Sequence, residues 1–248
     1  MGRIIVTIPM HPIILALYLL VALPVFLLSQ SILAAIFHKM GLGYGLSILL
    51  STNIFFLSLL FSIVNIKVLE ISTRTYRLVF ERRYIVFYGI PIPMIQPRLL
   101  ENKVVVAVNV GGALIPLAIS IFFTTYIASS PRALAALIAS LTATSIATYL
   151  VSRAVPGVGI AVPGLVPPLV AVSTTALFNL SLPYMVTVAY VSGSMGSLIG
   201  ADILRLKKDI NKFINLYGPT LLSIGGAGTF DGIYLSGVLA VVLAIAIA

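Results

Sequence analysis

The amino-acid sequence predicts an all-α integral membrane bundle of about seven transmembrane helices, with the N-terminus in the cytoplasm, the C-terminus outside and a small cytoplasmic β-element between spans two and three. Three observations lead there. The residues are 60% hydrophobic and only 8% charged, where a soluble domain carries about 25% charged residues. Apolar runs close to the length of a bilayer core recur along the whole chain. The basic residues, finally, fall almost entirely into alternate connections between those runs, which fixes an odd number of crossings.

The runs lie at about Ile13 to Gln30, Gly45 to Ile66, Val104 to Ala128, Ala133 to Ser152, Leu165 to Leu182, Pro183 to Ala201 and Thr229 to Ala248. No small-residue cleavage site follows a short apolar segment, so the first run is read as a retained span. The fifth is the weakest, because Pro163, Pro167 and Pro168 shorten its unbroken helix. With seven crossings, thirteen of the fifteen Lys and Arg residues fall on one side, leaving Lys39 and Arg132 opposite. Six crossings would export the Arg205 to Lys212 cluster, against the positive-inside rule.

Three regions follow: residues 1–66 with spans one and two, a basic insertion over 67–103, and a membrane region over 104–248 with spans three to seven. In the insertion, Lys67 to Ile71, Tyr76 to Phe80 and Tyr84 to Tyr88 are rich in β-branched and aromatic residues, which predicts two or three short strands. The Gly89-Ile-Pro-Ile-Pro run ends them. The basic residues here suit anionic headgroups at about 1 kcal/mol each; positive-inside bookkeeping accounts for them equally.

Asn109-Val-Gly-Gly-Ala, at the opening of span three, is echoed by Ser223-Ile-Gly-Gly-Ala before span seven. An internal repeat of three spans, a linker span and three spans would put them in corresponding places, and close helix packing is the alternative reason for Gly111 and Gly112. The stretch from Arg153 through Pro156, Gly157, Gly159 and Pro163 to Pro168 is too broken for helix and too apolar for a solvated loop, so it either tucks into the bundle or forms an interfacial turn. In span six, Gly193, Gly196 and Gly200 have a spacing suited to close packing. After it, Arg205 to Tyr217 reads as an amphipathic surface helix with Asp209 on its wet face, near Arg205 and Lys212.

Cysteine is absent, which excludes disulfides, thiolate metal sites and cysteine nucleophiles. His11 and His38 stand near different membrane faces, so no histidine metal site or serine triad assembles. Gly157-Val-Gly159 and Gly226-Ala-Gly228 lack the flanking features of a nucleotide loop. No cofactor, metal or nucleic-acid partner is expected; the expected partners are the lipid bilayer and a membrane-protein or small-molecule substrate, with the oligomeric state left open.

The candidate chemistry rests on Asp202 and Asp231. A final span of about 20 residues ending at Ala248 begins near Thr229. That puts Asp231 in its first turn, beside Gly225, Gly226 and Gly228, while Asp202 ends span six at a similar depth. Two carboxylates held close in a partly dry site share a proton and serve as acid and base on water, as in aspartic peptidases. Plainer roles stand beside this one: Asp231 as a carboxylate at a helix N-terminus, at about 0.3 to 1 kcal/mol, and Asp202 paired with Arg205 at under about 1 kcal/mol. Around the pair, Asn109, Gly111, Gly112, Gly225, Gly226, Gly228, Pro156 and Pro163 are the candidate substrate-binding residues.

Asn109-Val-Gly-Gly-Ala-Leu-Ile-Pro, Pro156-Gly-Val-Gly-Ile-Ala-Val-Pro, and Gly200-Ala-Asp followed by Ile224-Gly-Gly-Ala-Gly-Thr-Phe-Asp-Gly-Ile together resemble a family of archaeal and bacterial multi-pass membrane proteins known as a domain of unknown function. The resemblance covers roughly Val104 to Ala248. It implies a family and no activity. A more distant similarity is to the presenilin, signal-peptide-peptidase and prepilin-peptidase group, whose second membrane aspartate lies in a Gly-x-Gly-Asp motif. Here Thr229 and Phe230 intervene between Gly228 and Asp231, and Pro167-Pro-Leu169 is the nearest element to the presenilin Pro-Ala-Leu motif. What the similarity implies is an intramembrane di-aspartyl peptidase. A small-molecule or ion transporter with broken helices, and a noncatalytic membrane scaffold, are the competing readings.

Overall fold

A computed structural model of the chain describes residues 4–7, 12–87, 90–155, 159–213, 220–226 and 232–248. Helices α1 (Pro12–Lys39) and α2 (Tyr44–Phe61) follow a short strand β1 (Ile4–Val6). Two long strands, β2 (Val64–Phe87) and β3 (Ile90–Asn109), come next, and a π-helical segment, Val110–Leu114, runs directly into α3 (Ile115–Ile127). Helix α4 (Pro131–Val151) leads to the small strands β4 (Arg153–Val155) and β5 (Gly159–Ala161) and to the short helix α5 (Val166–Ala176). Then α6 (Leu182–Ser197), a second π segment (Leu198–Arg205) and α7 (Leu206–Lys212) form one continuous helical rod, before β6 (Thr220–Ile224) and α8 (Gly232–Ile247).

Among the described residues, four helical stretches are long and apolar enough to cross a membrane: Tyr44–Phe61, Val110–Ile127, Pro131–Val151 and Leu182–Lys212. The shorter apolar helices Phe26–Lys39, Val166–Ala176 and Gly232–Ile247 accompany them. This is a membrane protein by that criterion. α5 has 11 residues, about 16 Å of helix where a bilayer core is about 30 Å thick. Pro167 and Pro168 occupy its first turn, and Asn179 turns the chain beyond it with a φ of 46°.

The expectation of an all-α bundle is corrected by a four-stranded sheet in the order β1-β2-β3-β6. β2 and β3 form one antiparallel hairpin of 24 and 20 residues, not the two or three short strands read from the sequence. It takes in Val104 to Val108, which the hydropathy alone assigns to span three. Four valines in that run favour extended backbone, and a strand on either side supplies the pairing: Val104 to Val108 face Thr220 to Ile224 of β6 in parallel. Register shifts at Lys67/Leu69 and Ser72/Tyr76 interrupt the hairpin, and such bulges bend a strand. Near its base Lys67 hydrogen-bonds Glu70, and that bond, with the charge of Lys67 and Lys103 nearby, holds the Glu70 carboxyl below its ordinary value.

The helices form an antiparallel bundle with the sheet at one end. Tyr126 stacks on Tyr184 and Phe123 meets Tyr190 edge-on, so α3 and α6 run oppositely. α8 is antiparallel to α6 as well, since a Cβ on Gly193 would come within 2.9 Å of the Ser236 carbonyl and one on Gly237 within 2.9 Å of the Tyr190 ring. α4 lies close too: a Cβ on Gly196 would reach Thr144 Cγ2 at 2.6 Å. The close packing read from the glycines of span six is therefore present. The main core joins Leu33, Phe123, Ile127, Tyr190, Tyr234 and Val241, all fully buried or nearly so. A second core under the sheet joins Val104, Val106 and Leu222 to Leu206 and Phe213.

Asp209 is not on a wet face. Its side chain is 2% exposed and takes a 2.7 Å bond from Arg205 Nε and a 2.9 Å bond from Lys212 Nζ. α7 turns this carboxylate inward because Leu206 and Phe213 are drawn into the core beneath β3 and β6.

Gly111 packs against the end of α2, where a Cβ would lie 2.8 Å from the Phe61 carbonyl carbon and closer still to Ser58 and Ser62 backbone. Gly111→Val is expected to destabilise the protein by about 1–3 kcal/mol, read as a lower unfolding temperature in detergent. Gly43→Ala, with open space around its Cβ, is expected to leave that temperature unchanged or slightly raised.

Candidate functional site

At the sheet end of the bundle, strand ends have to become helix starts, and each exposes amides with no partner in its own element. β3 ends at Asn109, whose side chain closes that gap. Its Oδ1 accepts from the Gly112 amide at 2.8 Å, while its Nδ2 donates to the Ser62 carbonyl at 2.5 Å and to Asn65 Oδ1 at 3.1 Å. One fully buried carboxamide thus ties the first π segment to the end of α2 and the start of β2. Ser58 Oγ adds a 2.8 Å bond to the Gly111 carbonyl.

β6 reaches the same place from its side. Ser223 Oγ lies 2.5 Å from Asn65 Oδ1 and 2.6 Å from the Gly226 carbonyl. A hydroxyl has a single proton, so it donates to one of these oxygens at a time. Asn65, itself fully buried, also donates to Thr7 Oγ1 at 2.9 Å. Gly225 and Gly226 then take φ values of 90° and 86°, a left-handed conformation that residues with a Cβ rarely adopt. A Cβ at Gly225 would also come within 2.6 Å of the Ala113 Cβ.

The Gly225 turn aims its amide at the second π segment. Asp202 Oδ2 accepts that N–H at 2.6 Å. Asp202 Oδ1 has no protein hydrogen-bond partner among the described residues, and the side chain is half-buried. The pairing of Asp202 with Arg205 considered from the sequence is not formed, because Arg205 is turned to Asp209. A π segment widens the helix by about one residue per turn, an arrangement that is rare and frequent at functional sites. Here two of them face one another across a glycine turn.

The structure therefore gathers Asn109, Gly111, Gly112, Gly225, Gly226 and Asp202 at one level. Asp231, Gly228 and Pro156 lie outside the described residues. Pro163 is exposed in the turn before α5, where its carbonyl accepts from Val166, and the stretch before it is a two-stranded antiparallel sheet, Arg153 to Val155 against Gly159 to Ala161. Ala154 and Ile160 of that sheet pack on the second core. Among the described residues no group of three or more His, Asp or Glu side chains gathers to hold a metal ion.

Asn65 and Ser223 were not singled out by sequence reasoning as site residues. The signal for Asn65 was present: one carboxamide in an otherwise apolar Ile63-Val-Asn-Ile run needs a partner if buried. Which partner it finds depends on pairing between strands far apart in the chain.

Removing the Asn109 carboxamide takes its acceptor from the buried Gly112 amide, at about 1–3 kcal/mol, and one of several hydrogen bonds from Asn65. Asn109→Ala is expected to lower the unfolding temperature more than Thr7→Ala, measured side by side in the same detergent.

No curated protein and no solved structure matches the chain. A family model matches residues 59–243, which takes in both π segments, Asp202 and the whole of β6, and the chain belongs to that family, described as protein of unknown function (DUF1614).

Proposed function

We propose that the protein is a multi-pass protein of the cell membrane, with its sheet end in the cytoplasm, and that it acts as an intramembrane di-aspartyl peptidase through Asp202 and Asp231. The observation that carries this reading is the 2.6 Å bond from the Gly225 amide to Asp202 Oδ2. It pins the strand that leads to Asp231 against the helix that bears Asp202. Depth agrees. From Gly193, which packs on Ser236, the chain descends about 13 Å to Asp202, and from Ser236 back to Gly232 about 6 Å, at about 1.5 Å per residue. Asp202 and the start of α8 thus differ by only about 7 Å along the bundle, and Asp231 is the residue before Gly232.

In such a site one carboxyl holds a proton and its neighbour does not. The ionised one takes a proton from water as the water oxygen bonds to the scissile carbonyl carbon, and the other gives its proton to the carbonyl oxygen. Collapse of the tetrahedral diol breaks the C–N bond, with the leaving nitrogen protonated by the acid, and yields a carboxyl and an amine. Asp202 suits this work because backbone fixes Oδ2 while Oδ1 has no protein hydrogen-bond partner among the described residues. The orientation rests on charge: Lys39 and Arg132 are the basic residues at the far end, and the positive-inside rule puts the other end in the cytoplasm.

A second reading, a transporter with broken helices, is supported by the entry to α3, where a capping carboxamide and a π segment replace regular helix. One experiment separates the two. Purified wild-type, Asp202→Asn and Asp231→Asn proteins are reconstituted with a single-span reporter whose fragments are read by mass spectrometry. The peptidase reading expects cleavage by wild type and none by either variant, with unfolding temperatures kept. Cleavage retained in either variant, or ion-driven uptake by the wild type without any cleavage, would overturn it.

A further inference from the structure

The end of the bundle away from the sheet carries a cavity that the peptidase reading does not use. It has a volume of about 390 Å³ and lies between α1 and α2, lined by Gln30, Ala35, His38, Lys39, Tyr44 and Ile48, with Ser31 and Ala34 beneath. Its rim is lipid-facing: Leu27, Leu28 and Leu49 beside it are each about half exposed or more. Its mouth is cationic. Among the described residues Lys39 and Arg132 are the lysine and arginine residues at this end, and a lone charge that topology disfavours calls for a local reason.

The helix dipole supplies part of one, since a cation at the end of α1 is favoured there. It does not account for the rest of the cavity. His38 Nδ1 lies 3.0 Å from the Leu42 carbonyl; a carbonyl only accepts, so Nδ1 carries the hydrogen and Nε2 is the ring's unpaired nitrogen. The Tyr44 ring holds the imidazole edge-on at 5.9 Å. Deeper by about 13 Å along α1, Gln30 gives one amide hydrogen to Thr52 Oγ1 at 3.1 Å. Its second amide hydrogen and its oxygen have no protein partner among the described residues, although the residue is half-buried.

A cation at the interface, an unused amide donor below it, and alanines that leave room between leucines match one kind of molecule in order of depth. We propose that this cavity binds an anionic glycerophospholipid of the leaflet at the end away from the sheet. Lys39 holds the phosphate, Gln30 donates to a glycerol ester carbonyl, and the acyl chains lie along the exposed leucines. Phosphate and ester carbonyls are acceptors, and the Lys39 ammonium and the second Gln30 amide hydrogen are the donors they meet, while His38 Nε2 carries a lone pair and accepts. This site is independent of the proposed chemistry, being at the other end of the bundle.

The test uses the full-length protein in nanodiscs containing equal phosphatidylglycerol and phosphatidylcholine, released into detergent and read by native mass spectrometry. Wild type is expected to retain one phosphatidylglycerol at least about fivefold over phosphatidylcholine. Lys39→Ala is expected to abolish the preference, Gln30→Leu to weaken retention, and Arg132→Ala, the other basic residue at this end among the described residues, to leave both unchanged. Equal retention of the two lipids by wild type, an unchanged preference in Lys39→Ala, or an equal loss in Arg132→Ala would each overturn the proposal. Unfolding temperatures recorded alongside separate loss of lipid from loss of fold, and Gln30→Glu, which keeps the size and removes the donor, tests the ester contact if Gln30→Leu does not fold.

Discussion

The Asn109 carboxamide is the contact on which the sheet end of the molecule depends. Backbone groups at membrane depth have no water to turn to, so each needs a partner within the protein. Where β3 gives way to helix, regular pairing ceases on both sides, and a single side chain with two donors and an acceptor fills the gap. It does so for three segments at once. The end of α2, the first residues of β2 and the opening of the π segment are therefore held in one arrangement, and β6 joins through Ser223 and the same Asn65.

From that anchor the geometry of Asp202 follows. Parallel pairing of β6 with β3 lets the two Gly-Gly stretches end side by side. Gly225 can then lie against Ala113 only because it lacks a Cβ and accepts a positive φ. Its amide is left pointing away from the sheet, and the carboxylate on the second π segment takes it. Asp209, about two turns further along, is occupied by two cations, so the two aspartates of this rod have opposite settings: one saturated by charge, the other held by a single backbone bond.

Much of this was legible in the residues, and the parts that were not have a common cause. Hydropathy finds apolar runs and glycines at helix spacing, because both are local patterns; the close contact of Gly196 with Thr144 is what such spacing is for. Val104 to Val108 misleads, since an apolar run of valines is equally a buried strand, and only the presence of β2 and β6 on either side decides. Asp209 misleads in the same way. An acid between Arg205 and Lys212 has the pattern of a solvated helix face, yet the pull of Leu206 and Phe213 into the core beneath the sheet rotates it inward. The echo between Asn109-Val-Gly-Gly-Ala and Ser223-Ile-Gly-Gly-Ala was a short match in sequence; its physical meaning, two neighbouring strands turning toward the membrane together, depends on a pairing the sequence does not display.

That pairing has a consequence for how the molecule is made. Val104 and Thr220 are neighbours in space but belong to distant parts of the chain, and contacts of such high order form late. During synthesis, β3 has to wait with an open edge while α3 to α7 are inserted, since domains and their parts emerge from the N-terminus first. The Asp202 carboxylate therefore has no Gly225 amide to accept from until β6 and the turn after it have left the ribosome. Any activity that depends on that bond is withheld from the nascent protein, and appears only when the final strand closes the sheet.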